Sequence, residues 1–129
     1  GALGEPNSVL WVELATRDIA RAEAFYGAVL GWTATPFDAG PTQYRVLSVP
    51  GNESGFGGMM EMNEEWAGIP SNWSIYLHVI DVDATVERAQ ALGGTTVVPA
   101  FDVPGVGRIA RLDDPSGAGF YVMTPSPQG

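Results

Sequence analysis

The sequence predicts an α+β domain built from two βαβββ modules. Three observations carry that reading. Strand-like and helix-like segments follow one another in the same order twice along the chain. Two of those segments share more than order: Asp18 to Leu30-Gly31 is similar to Asp81 to Leu92-Gly93, offset by 62 to 63 residues, and each follows a strand. Finally, a chain of 129 residues gives each half about 60 residues, too few to bury a core without a partner surface.

The elements follow in chain order. Val9 to Ala15 is a mostly apolar strand with Glu13 as its one charge. Asp18 is a helix N-cap, because its carboxylate accepts from the exposed N–H groups of the first turn. Ile19, Ala22, Tyr26 and Val29 recur at helical spacing, with Phe25 and Leu30 widening the stripe, and Gly31 stops the helix. Trp32 to Thr35 is a short strand ending at Pro36. Tyr44 to Val49 alternates and ends at the Pro50-Gly51 turn, and Gly55 to Met62 is a strand rich in Gly and Met. The order then repeats. Trp73 to Val79 is a strand, and Asp81 or Asp83 caps a helix with Val82, Val86 and Ala89 on its apolar stripe. Gly93-Gly94 closes that helix. Thr95 to Val98 is a short strand before Pro99. Gly107 to Leu112 and Phe120 to Met123 are strands separated by the turn Asp114-Pro115-Ser116-Gly117. The predicted organisation is a disordered or cloning-derived tail (1–7), a first module (8–63), a linker (64–72), a second module (73–125) and a short tail (126–129).

Composition excludes several classes of function. Six Lys+Arg, all of them Arg, face 15 Asp+Glu, for a net charge of -9. That balance argues against nucleic-acid binding, which neutralises phosphates with Lys and Arg, and against docking on an anionic membrane surface. It tilts the ligand toward cations. With no Cys, disulfides, thiolate metal sites and cysteine nucleophiles are excluded. One His, His78, excludes a multi-histidine metal site within one chain. No apolar run approaches the roughly 18 residues of a membrane-spanning helix, and the expected location is the cytoplasm.

Strand alternation sorts the candidate side chains. In the first strand Val12 and Leu14 lie on one face, and Trp11, Glu13 and Ala15 on the other. In the second module's first strand Ile75, Leu77 and Val79 share one face, and Ser74, Tyr76 and His78 the other. The aliphatic faces suit packing against the helices. The aromatic and polar faces suit the lining of a cup, which brings Trp11, Glu13, Tyr76 and His78 to one region. Each residue also has a plainer reading. Glu13 is either an edge residue facing water or, if buried, a group that needs a partner or a raised pKa. His78 is either a hydrogen-bonded structural histidine or a catalyst. Trp11 and Tyr76 are core or cup. Met59 and Met60 are core filler or an adaptable ligand surface. Gly55-Phe56-Gly57-Gly58 lacks both the spacing and the following helix of a phosphate-binding loop.

Several motifs together resemble one family. Thr16-Arg17-Asp18, Phe25-Tyr26 with Leu30-Gly31-Trp32, Val79-Ile80-Asp81-Val82-Asp83-Ala84 and Asp114-Pro115-Ser116-Gly117-Ala118 are similar to the vicinal oxygen chelate superfamily. This is the group of glyoxalases, bleomycin-resistance proteins and extradiol dioxygenases. Trp11-Val12-Glu13-Leu14 and Gly57-Gly58-Met59 resemble its actinobacterial glyoxalase-like subgroup, labelled hydroxylase. The resemblance covers residues 8 to 125. It implies a cupped, incompletely closed eight-stranded mixed sheet. It also implies metal-ligand positions, which fall here on Trp11, Ser74 and Tyr121, with a fourth near Met59 or Met60. None of these is a good divalent-metal ligand. A displaced site would use Glu13 and His78, completed by Glu61 or a partner chain.

Two classes of function remain. One is a metal-free, cofactor-free binder similar to the bleomycin-resistance branch. It would hold a small cationic or aromatic metabolite or drug among Trp11, Glu13, Met59, Met60, Trp73, Ser74, Tyr76, His78 and Tyr121. The other is an enzyme. A cofactor-independent isomerase or cyclase would use Glu13 as base and His78 or Tyr76 as acid; a metal-dependent lyase or dioxygenase would need ligands that the sequence does not place. The resemblance also implies a possible homodimer.

Overall fold

Asp18 and Asp81 open the two helices as predicted. Asp18 accepts from the Arg21 N–H, and Asp81, rather than Asp83, accepts from the Ala84 N–H, both at 3.0 Å. Gly31 closes the first helix in the left-handed conformation, φ 72°, where its N–H reaches the Gly27 carbonyl. The computed structural model describes residues 4–38, 40 and 42–127, so the ends of the expected tails, 1–3 and 128–129, lie outside the described residues.

The chain divides into two compact units. The first is Trp11–Trp73; the second is Ser74 onward together with the segment up to Leu10. The first unit holds β1 (Val9–Thr16, entered from the other unit), α1 (Ile19–Leu30), β2 (Thr33–Asp38), β3 (Gln43–Val49) and β4 (Asn52–Glu61). Its strand order is β2-β3-β4-β1, with β1 parallel to β4 and the other pairs antiparallel. The second unit holds β5 (Asn72–His78), α2 (Val82–Ala91), β6 (Thr95–Val103), β7 (Gly107–Asp113) and β8 (Gly119–Pro125). Its order is β5-β8-β7-β6, with β5 parallel to β8 and the rest antiparallel. The same connectivity and the same pairing senses recur, so the chain is α+β and repeats one βαβββ plan twice.

Each unit has its own apolar cluster. Leu14, Ile19, Leu47 and Met59 form the first, with Ala22, Tyr26, Trp32, Ala34 and Phe56 packed against it. Val79, Val82, Ala110, Leu112 and Val122 form the second, with Val86, Ala89, Ala100 and Phe120 around it. Leu14 and Val79 therefore face the helices, as alternation predicts. Ile75 does not join a cluster and is exposed. The α1 stripe is also narrower than predicted. Ile19 is buried, but Phe25, Val29 and Leu30 are each more than half exposed. Trp32 takes their place by stacking on Tyr26, with centroids 5.3 Å apart.

Two strands run past their prolines. β2 continues through Pro36, which pairs with Arg45, and β6 continues through Pro99. Both lie at the edge of their unit's strand order, where a missing N–H removes no ladder bond. In β6 the register also shifts between Val98 and Phe101, so Pro99 sits in an irregular stretch.

Candidate functional site: a buried carboxylate relay and a tyrosine–arginine stack

In the first unit, Trp11 and Glu13 share one face of β1. Glu13 pairs with Gly58 on β4, and Gly58 pairs with Val46 on β3. Two residues before Val46, Tyr44 lies on the same face of β3, and its ring passes across Gly58. A Cβ on Gly58 would collide with the Tyr44 hydroxyl and ring. The missing side chain lets the phenol span one strand and reach β1. There the Tyr44 hydroxyl donates to Glu13 Oε2 at 2.8 Å, and the Trp11 indole N–H donates to the Tyr44 oxygen at 2.9 Å. Glu13 is 8% exposed, so it is not an edge residue facing water.

The electrostatics fix the direction of this relay. Burial, and then the neighbouring Glu13 carboxylate, push the Tyr44 hydroxyl far above its ordinary value near 10. The hydrogen bond from Trp11 opposes that shift, and the one to Glu13 adds to it. Tyr44 therefore stays protonated and serves as donor, and Glu13 as acceptor. Neither Tyr44 nor Gly58 was among the candidates from sequence. The available signal was a glycine pair inside a buried strand, which marks a close approach by another group.

The second unit builds a different arrangement from equivalent strands. Tyr76 on β5 pairs with Tyr121 on β8, which pairs with Arg111 on β7. The tyrosine rings stack 4.4 Å apart at 8°. The Arg111 guanidinium lies over Tyr121, 4.7 Å from the ring centroid, and donates to Ser74 Oγ at 3.4 Å. Arg111 also runs over Gly119, where a Cβ would fall 2.5 Å from its terminal nitrogen. Arg111 is not among the sequence candidates; the signal for it is a lone arginine between the buried Ala110 and Leu112 of β7.

Other candidates fall elsewhere. Met59 is fully buried in the first cluster, on the helix side of β4, because alternation places it opposite Gly58. Of its two readings, core filler is the one this burial fits; Met60, half-buried, lies on the Gly58 face. Trp73 joins the aromatic group beside α1: its indole N–H donates to the Tyr26 hydroxyl at 3.1 Å, and its ring meets Tyr26 and Trp32 edge-on. It is thus on the helix side, away from the Trp11–Glu13 face. His78 ties the N-terminal segment down. Its Nδ1 lies 2.8 Å from the Gly4 carbonyl oxygen, its N–H donates to the Ser8 carbonyl, and its carbonyl accepts from the Asn7 N–H.

The residues at the family's metal positions do not fit a metal. Pairing in the two units makes Gly58, not Met59 or Met60, the counterpart of Tyr121. The set is then Trp11, Gly58, Ser74 and Tyr121, which offers no carboxylate, imidazole or thiolate. Glu61, a member of the displaced alternative, accepts from the Ile19 N–H and the Gln43 amide. Among the described residues, no three His, Cys, Asp or Glu side chains gather to hold an ion.

Comparison with known proteins agrees with the paired βαβββ plan. Residues 11–123 match the model of the glyoxalase-like domain family. The chain belongs to that family. The chain is 40% identical over 127 residues to CFP32 of Mycobacterium tuberculosis, which carries a provisional glyoxylase name; the match covers 98% of this chain and 47% of that protein. It is 30% identical to the anthracycline biosynthesis protein DnrV of Streptomyces peucetius, over 91% of this chain and 46% of that protein. The glyoxalase-like domain thus spans about half the length of the curated relatives it matches. Among solved structures, methylmalonyl-CoA epimerase from Mycobacterium tuberculosis aligns with a TM-score of 0.64 at 20% identity, over 93% of this chain and 89% of that one. The domain therefore has the vicinal oxygen chelate fold. None of its described helices is long and apolar enough to cross a membrane.

Proposed function

We propose that this glyoxalase-like domain binds a small aromatic molecule at the face carrying Trp11, Tyr44 and Glu13, without a metal ion. The observation that carries the reading is the buried Glu13 carboxylate, held by the Tyr44 hydroxyl at 2.8 Å. A buried carboxylate is costly unless hydrogen-bonded, and once oriented it is a specific acceptor for a ligand's N–H, O–H or cationic group. Trp11 and Tyr44 add apolar ring surface beside it. The anthracycline biosynthesis name of DnrV favours a polycyclic aromatic ligand.

The test is quenching of tryptophan emission by a cationic anthracycline. Saturable binding is expected, weakened about tenfold or more by Glu13→Gln through loss of a charge-assisted contact. Unchanged affinity in both Glu13→Gln and Trp11→Ala would overturn the reading.

A second reading is favoured by the same relay: a cofactor-independent isomerase or cyclase with Glu13 as base. The C–H bond alpha to a ligand carbonyl would break, its proton passing to Glu13 and its electron pair into the enolate. Return of the proton on the other face completes an isomerisation. Tyr44, kept protonated, holds Glu13 in place through the cycle. Deuterium exchange at the alpha carbon of an aromatic ketone, followed by proton NMR, checks this reading. Exchange in the parent protein and none in folded Glu13→Gln supports it; equal exchange rates in the two oppose it.

A further inference from the structure

We infer that Arg111 forms a built recognition point for a carboxylate on an organic anion. The chain carries a net charge of -9, and two of its six arginines pair with carboxylates: Arg45 with Glu23, and Arg108 with Asp83 and Asp102. Arg111 makes no ion pair among the described residues, although it is half-buried. Asp113, two residues along the same strand, brings its Oδ1 to the other side of the Gly119 position, 3.1 Å from where a Cβ would stand, without forming an ion pair with Arg111. A half-buried guanidinium without a direct ion-pair partner is only partly compensated. Its position is nonetheless held from three sides. The Tyr121 ring carries it, and that ring is braced by Tyr76. Ser74 Oγ accepts one long hydrogen bond at 3.4 Å, and Gly119 leaves the room its terminal nitrogen occupies.

A planar guanidinium has several N–H donors, and a single long bond to Ser74 leaves most of them for another acceptor. Two parallel N–H donors match a carboxylate, and stacking on tyrosine fixes the plane in which they point. The ligand class is therefore a small organic carboxylate. This assignment adds an anionic group to the ligand beside the cationic or hydrogen-bonding group that Glu13 would accept. It rests on the reading of the domain as a small-molecule binder but uses residues other than Glu13, Tyr44 and Trp11.

The experiment compares 1-naphthoate with its neutral counterpart, 1-naphthamide, by calorimetric titration. The folded parent protein should bind naphthoate about tenfold or more tightly than the amide, the scale of a hydrogen bond to a charged group. Arg111→Gln should abolish that preference, and Arg111→Lys should restore only part of it. Gly119→Ala supplies an independent variant that displaces the guanidinium while keeping its charge, and it too should lose the preference. Equal affinities in the parent protein, or a preference that persists in both Arg111→Gln and Gly119→Ala, would overturn the inference. Binding of the amide without any preference leaves the binder reading standing and removes this one. No binding of either probe, with the cationic anthracycline still bound, overturns this inference alone.

Discussion

The two units use one backbone plan and place opposite chemistry on it. Pairing equates Gly58 of the first unit with Tyr121 of the second. In the first unit the missing side chain lets Tyr44 cross the strand and hold a buried carboxylate. In the second, the tyrosine fills the equivalent position, stacks on Tyr76 and carries a guanidinium. One position on the fourth strand of the repeat thus accompanies an acidic face in one unit and a basic face in the other. The scaffold constrains where groups point, and local side-chain size decides which groups arrive.

Four perturbations probe that comparison, in falling order of effect. The cores come first. Leu47→Ala and Leu112→Ala each empty a fully buried site, and each should cost about 2–5 kcal/mol in urea unfolding. A large loss in one and none in the other would break the equivalence of the units. Gly58→Ala comes next, at about 1–3 kcal/mol, because the added carbon forces Tyr44 aside. The same change should cost much less in a Tyr44→Leu background, where no phenol crosses the strand. Equal costs in both backgrounds would remove Tyr44 as the reason for the glycine.

The third perturbation is pH. Below pH 10 Tyr44 is protonated in both folded and unfolded chains, and its contribution to stability is complete. As pH rises beyond 10, the unfolded chain releases this proton while the folded chain, with its raised pKa, keeps it. Stability should therefore fall by about 1.4 kcal/mol per pH unit from this group alone. Tyr44→Phe should show a slope shallower by that amount; parallel slopes would mean that Tyr44 is not held protonated. The smallest expected effect is that of Arg111→Gln on thermal unfolding. Loss of the tyrosine contact offsets relief of an uncompensated charge, so the change in stability should stay within about 1 kcal/mol. A large loss would show that Arg111 is chiefly structural.

Much of the fold was legible because it is local. Asp18 and Asp81 are caps whose chemistry is readable from one residue, and the repeated Leu-Gly punctuation exposed the duplication. Trp11 and Glu13 could be placed on one face because alternation needs no knowledge of neighbouring strands. What pairing adds was not legible. Tyr44 reaches Glu13 across β4, and Arg111 lies over Tyr121 across a strand boundary; both depend on register, which sequence spacing does not supply. Met59 and Trp73 kept two readings in sequence for a related reason. Each is a large apolar residue suited to either face, and strand parity, not residue type, assigns it to the helix side. The exposure of Val29 and Leu30 likewise follows from Trp32 occupying the ground beside Tyr26.

In the proposed function a ligand meets the Trp11–Tyr44–Glu13 face. The direct measurement is an amide and indole NMR titration with the cationic anthracycline, following the N–H signals of the four tryptophans and assigning Trp11 by Trp11→Phe. A saturable shift of the Trp11 indole signal is expected in the parent protein, and a weaker one in Glu13→Gln. A titration that moves only Trp32, Trp66 or Trp73, with Trp11 unmoved at saturation, would contradict it.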